Sequence, residues 1–254
     1  MVTQLSLDRE AQLDALEQHV REALLLARSS GASEAEISAN SSLGLAATIR
    51  LGEVETLEHT QDRGIAVTVY IGRRKGQASS ADLRSESIES CVRHALDIAR
   101  FTQEDKANGL ADPALLASDF PDLDLWHPVA MDATSAIERA MACEDAGRSE
   151  QRISNSEGAS FNASLGMGVY GNSNGFIGRS SGTHYSQSCV LLAGEGGGMQ
   201  RDYSYDSRRC LDDLETAEET GCEAARRTVR RLGARQLKTA EMPVLFAPDL
   251  SLIH

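Results

Sequence analysis

The chain has 254 residues, a formal charge of −13, 41% apolar residues and 4% aromatics, the profile of a globular protein whose core is aliphatic. The acidic balance excludes a broad nucleic-acid or anionic-membrane face, both of which need basic surfaces. No run of eighteen apolar residues exists, and "MVTQLSLDREAQLDALEQHV" lacks the basic start and apolar stretch of a secretory signal. The five cysteines, Cys91, Cys143, Cys189, Cys210 and Cys222, are odd in number and form no CxxC pair, which fits unpaired thiols in a cytoplasmic protein.

In chain order, a first helix is expected from about Ser6 or Asp8 to Ser30, with Leu13, Leu16, Val20, Leu24 and Ala27 on one stripe and Gly31 as its stop. Ala35, Ile37 and Ala39 alternate on one strand, and Leu45, Ala47, Ile49 and Leu51 on the next. "GEVETLEHTQDRG" then reads as a turn back, followed by a strand carrying Ile65, Val67, Val69 and Ile71. Short connections make this an antiparallel meander. A second helix is expected over about Ser85 to Phe101. Thr102 to Pro128 is acidic and Pro-containing, the best internal boundary.

Ser135-x-x-Glu138 has the spacing of a capping box and is expected to open a third helix. Strands resume from about Gln151 to Tyr205, with turns at "GNSNG" and "GEGGGM". A fourth helix is expected from about Leu211 to Leu232, acidic at its start and basic at its end ("RRTVRR"), which complements the helix dipole and accounts for the arginines without nucleic acid. "MPVLFAPDL" reads as a last strand. The expected class is α+β: residues 1–101 an N-terminal α+β domain, 102–130 a linker, 131–238 a β-rich central domain closed by a helix, and 239–254 the start of a third domain.

Candidate sites are few. Gly166-x-Gly168-x-x-Gly171 has dinucleotide-loop spacing, but no helical stripe follows to present a helix N-terminus to a pyrophosphate, so it reads as strand and turn. No HExxH or HExxxH occurs. Glu55, Glu58 and His59 are close in sequence, yet Glu58 and His59 point to opposite faces of a strand. Cys91 and His94 lie on the second helix, the thiol expected in the core and the imidazole outside. His184 and Cys189 fall on opposite faces of one strand. No G-x-S-x-G elbow is present, and a Ser/His/Asp triad is left open. Asn40 and Asn162 begin glycosylation-type triplets that have no consequence in the cytosol. No catalytic, cofactor-binding or metal residue is assigned.

Three ordered stretches carry a resemblance: "GEVETLEHTQDRGIAVTVYIGRRKGQASSADL" (52–83), "DFPDLDLWHP" (119–128) and the segment from 152 to 207 around "GMGVYGNSNGFIG". Together they resemble the PmbA/TldD family, and the second and third resemble its PmbA/TldE branch. The resemblance implies a subunit of a two-component cytoplasmic metalloprotease acting on unfolded peptides, in peptide-antibiotic maturation and antitoxin degradation. It implies a TldD-type partner carrying zinc on an HExxxH helix in a third domain, no zinc in this chain, and a homo- or hetero-oligomer. In the family that third domain follows the strand resembled by "EMPVLFAPDL", so metal ligands could lie past His254; His254 itself is read as incidental. The alternative implied by the older family name is a non-proteolytic module that modulates DNA gyrase or its inhibitors.

Overall fold

A computed structural model describes residues 8–247. Four α-helices and six strands follow in the order α1 (Arg9–Ser29), β1 (Glu34–Arg50), β2 (Glu53–Ile71), β3 (Arg74–Ser80), α2 (Ser85–Phe101), α3 (Ala133–Arg148), β4 (Ile153–Asn172), β5 (Ile177–Ala193), β6 (Gln200–Arg208) and α4 (Ala217–Arg230). All six strands form one antiparallel sheet in the order β3-β2-β1-β4-β5-β6. The α+β expectation therefore holds. The sheet itself runs without a break across the linker, because β1 pairs with β4 from Glu36↔Asn172 to Ile49↔Ala159.

The helices cover one face only. The buried odd positions of β1 (Ala35, Ile37, Ala39, Leu45, Ala47, Ile49) point at them, as do Phe161, Ala163, Leu165, Met167 and Val169 of β4. Leu13, Leu16, Val20, Ala23 and Ala27 of α1 and the apolar stripe of α2 close the core over β1–β3, while α3 and α4 close it over β4–β6. Each fully buried Leu, Ile or Phe contributes about 1.5–3 kcal/mol. Arg179 of β5 ties the sheet to α1 through Glu17 at 2.6 Å and Asp14 at 2.8 Å.

Local chemistry sets the helix ends. Asp8 caps α1 by accepting from the Ala11 amide, and Gly31 ends it at φ +100°, a conformation natural only to glycine. The Ser6 alternative for its start lies outside the described residues. α3 begins earlier than the Ser135–Glu138 spacing predicts. Asp132 is its cap, accepting from the backbone and the hydroxyl of Ser135 at 2.9 and 2.8 Å, so Ser135 sits inside the first turn. The reciprocal capping box lies instead at Thr216 and Glu219, which places the start of α4 at Ala217 after a short 3₁₀ turn over Leu211–Asp213.

The first hairpin also differs from expectation. The two strands anticipated over residues 35–51 are one, and "NSSLG" passes through it without a turn. The reversal is confined to Leu51 (φ +54°) and Gly52 (φ +81°), so Leu51 is a turn residue and "EVETLEHTQDR" is the first half of β2. Residues 242–247 of the expected last strand have no regular structure, and the rest of that stretch lies outside the described residues. "GNSNG" and "GEGGGM" are turns, between β4 and β5 and between β5 and β6.

Candidate functional site

The face of the sheet away from the helices carries small polar residues. Rows crossing it read Thr60–Gly44–Ser164–His184, then Glu58–Ala46–Asn162–Ser186–Ser207, then Thr56–Thr48–Ser160–Ser188–Tyr205. At Gly44 a Cβ would press on the Thr60 hydroxyl, which lies across the ladder from it. The glycines of the Gly166-x-Gly168-x-x-Gly171 stretch belong to β4: Gly166 and Gly168 stand on this floor, and Gly171 backs onto Val20 and Leu24 of α1. No helix starts there, so the stretch is strand and the phosphate cradle is absent among the described residues.

One end of the floor is closed. The linker crosses it, the Leu110 amide donating to Glu34 at 3.2 Å and Asn174 donating to the Ala111 carbonyl at 3.3 Å, while the Phe120 ring meets Phe176 at 5.7 Å. Under it, Tyr70 and Tyr170 each donate to one oxygen of Glu36, at 3.0 and 2.9 Å. Burial and the facing Glu36 carboxylate push the Tyr70 phenol up to about 12, and the same causes raise that of Tyr170.

A long open edge lies at one side of the sheet. β3 pairs only with the second half of β2, from Ile65↔Ser80 to Ile71↔Arg74. The first half, Glu53 to Arg63, is paired to β1 on one side and exposed at every residue. Its N–H and C=O groups on the other side form a template for another extended chain. On the opposite side of the sheet β4 and β5 are interior strands, so an added strand could pair there only at β6 or along the stretch of β5 beyond it.

The base of the hairpin is anchored by a buried carboxylate. Glu144 of α3, fully shielded from solvent, accepts from the amides of Leu51 and Gly52 at 2.8 Å each and from the Ser156 hydroxyl. These three hydrogen bonds, with Arg148 3.9 Å away on the same helix, meet its charge in place of water, and the tight turn thereby acquires a fixed position on α3.

The residues weighed from sequence do not converge. Glu58 and His59 oppose Ala46 and Leu45 on alternate faces, and Glu55 bridges to Arg50 at 3.4 Å. Cys91 is buried, its thiol raised by that burial, while His94 is exposed. Cys189 is buried against Cys143, whose hydrogen bond together with burial holds the Cys189 thiol far above the ordinary range, whereas His184 stands exposed on the floor. His184 meets the Ser207 hydroxyl at 3.5 Å, too long for an activated nucleophile, and no carboxylate among the described residues orients its ring. Among the described residues no three His, Cys, Asp or Glu side chains are placed to hold a metal ion. No described helix is long and apolar enough to cross a membrane.

Comparison with known proteins matches two family models, "PmbA/TldA metallopeptidase domain 1" over residues 35–99 and "PmbA/TldA metallopeptidase central domain" over residues 126–232. The chain is similar to the Metalloprotease PmbA of Escherichia coli O157:H7, 44% identical over 95% of this chain and 54% of that protein. Its fold is similar to that of a candidate modulator of DNA gyrase from Bacteroides thetaiotaomicron, with a TM-score of 0.80 and 26% identity over 87% of this chain and 51% of the other. TldE from Thermococcus kodakarensis shares the fold at a TM-score of 0.68 and 17% identity, over 85% of this chain and 47% of that one. The chain thus spans about half the length of the curated relatives it matches.

Proposed function

We infer that this chain, which belongs to the PmbA/TldD metallopeptidase family, is a PmbA/TldE-type component of a cytoplasmic protease whose zinc is carried by a TldD-type partner. It contributes the surface on which an unfolded peptide is held, and bond cleavage belongs to the partner. The observation that carries this reading is the open half of β2 beside a smooth polar floor. Main-chain hydrogen bonding at such an edge accepts peptides of many sequences, and small Ser, Gly and Asn side chains leave room for theirs.

The test is peptide cleavage by the intact-length protein with and without a TldD-type partner, with zinc assayed on each component. Cleavage only in the mixture, with zinc only on the partner, is expected. Cleavage and zinc in the protein alone would overturn the assignment. The name of the Bacteroides relative suggests the competing role of a gyrase-directed module, for which the net charge of −13 favours a protein surface over DNA. That role requires a stable gyrase complex without the TldD-type partner.

A further inference from the structure

A recess of about 260 Å3 opens on the helix-covered side of the sheet, where the unpaired half of β2 meets the end of β3. Gln12 and His19, on one face of α1, form one wall. Ser41 and Arg63, directly opposed across the β1–β2 ladder, form the floor, and Asp82 and Arg84 form the far side. Ser41 and Arg63 interrupt the apolar rows Ala35–Ile37–Ala39 and Ile65–Val67–Val69, where a helix-covered face would ordinarily continue apolar.

The polar side chains gathered on this wall and floor lack partners among the described residues. The His19 Nδ1 is shielded from solvent and has no hydrogen-bond partner. The side chains of Gln12, Ser41 and Arg63 make no hydrogen bond or ion pair with described residues. Asp82 does not neutralise Arg63: its oxygens are taken by Arg84, at 2.6 and 2.8 Å, and by Ser87 at 2.7 Å. Arg63, exposed on the recess floor, thus has no ion pair among the described residues and stands beside an imidazole, an amide and a hydroxyl.

We propose that this recess binds the C-terminal carboxylate of an extended peptide lying along the free edge of β2. The planar guanidinium fork of Arg63 matches a carboxylate with two parallel hydrogen bonds. The edge leading to it begins with Glu53, Glu55 and Glu58 and ends at Asp62 and Arg63. A peptide running parallel to β2 sets its ammonium group among these glutamates and its carboxylate at the Arg63 guanidinium. The recess gives the edge a direction and selects free chain ends. This rests on the peptide-holding reading above.

The experiment uses the 254-residue chain and a ten-residue unstructured peptide, once with a free C-terminal carboxylate and once as its amide, with acetate alone as the small-acid probe. Affinity is read by calorimetry, and occupancy by the imidazole resonances of His19. The acid is expected to bind about tenfold or more tighter than the amide, to shift His19, and to lose that advantage in Arg63→Gln, an exposed position with no side-chain partner to disturb. Equal affinity of acid and amide, or an acid preference that survives Arg63→Gln, overturns the proposal. A saturable His19 shift with acetate, without binding of either peptide, overturns the peptide occupant in favour of small free acids. Peptide cleavage by the mixture of subunits is scored separately. Cleavage together with equal binding of acid and amide rejects the recess alone, and absence of cleavage rejects the reading on which it rests.

Discussion

At the scale of single residues, two carboxylates define the ends of the β1–β2 hairpin. Glu144 holds the Leu51–Gly52 turn from within the fold, and replacing it with alanine leaves two turn amides and the Ser156 hydroxyl without their acceptor. Glu144→Ala should lose about 3 kcal/mol or more in urea denaturation, and Glu144→Gln less, since one acceptor oxygen remains. At the other end Glu36 accepts from two tyrosines. Folding holds the Tyr70 proton to about pH 12, against about 10 for a free tyrosine. The stability from this bond is therefore complete below pH 10 and disappears as pH rises towards 12. Absorbance titration of tyrosinate should show the late-ionising phenols of Tyr70 and Tyr170 both moving down in Glu36→Gln while staying above the free value, because burial, the larger cause, persists. Neither carboxylate announced itself in the sequence. Glu144 sits in an Ala-rich helix and reads as an ordinary surface acid, because its partners come from residues 51–52 and 156.

At the scale of elements, the alternation of Ala35, Ile37, Ala39, Leu45, Ala47 and Ile49 gave the buried face of β1, and the stripes of α1 and α2 gave their extents to within a residue or two. Where local signals competed, pattern reading went astray. Asp132 and Ser135 are both good caps three residues apart, and the backbone chose the upstream one. Asp132→Ala should therefore cost about 1 kcal/mol by thermal denaturation, and Ser135→Ala distinctly less. The Ser135 amide hydrogen bond also holds the Asp132 carboxyl below the ordinary range, so its contribution is present above about pH 4 and lost as pH falls further. The polar run of "EVETLEHTQDR" looked like a turn because neither face of that half-strand is covered. Its outward amides should exchange quickly in the free protein and slow on addition of an unfolded peptide. Unchanged exchange over 53–63 with bound peptide would move the docking edge to β6.

At the scale of the molecule, the join between β1 and β4 was illegible in the sequence, because no local pattern states which strand a distant strand will meet. Residues 35–99 and 126–232 match separate family models, yet they share one sheet. Small residues make a second close approach possible: a Cβ on Gly221 of α4 would collide with the Cys143 carbonyl of α3. Gly221→Ala should destabilise by about 1–3 kcal/mol or more, measured in urea.

The β1–β4 ladder also imposes an order in time. Ala47 pairs with Phe161, more than a hundred residues downstream. At ribosomal elongation rates of about 5–20 residues per second, the finished β1–β2–β3 meander waits roughly five to eighteen seconds for β4 to be completed. During that interval β1 is a second open edge, longer than the one left in the folded protein, and the small Ala and Gly side chains along it offer little steric protection. The nascent chain is thus most exposed to mispairing in mid-synthesis, and a stall within the linker should raise aggregation far more than a stall after β4.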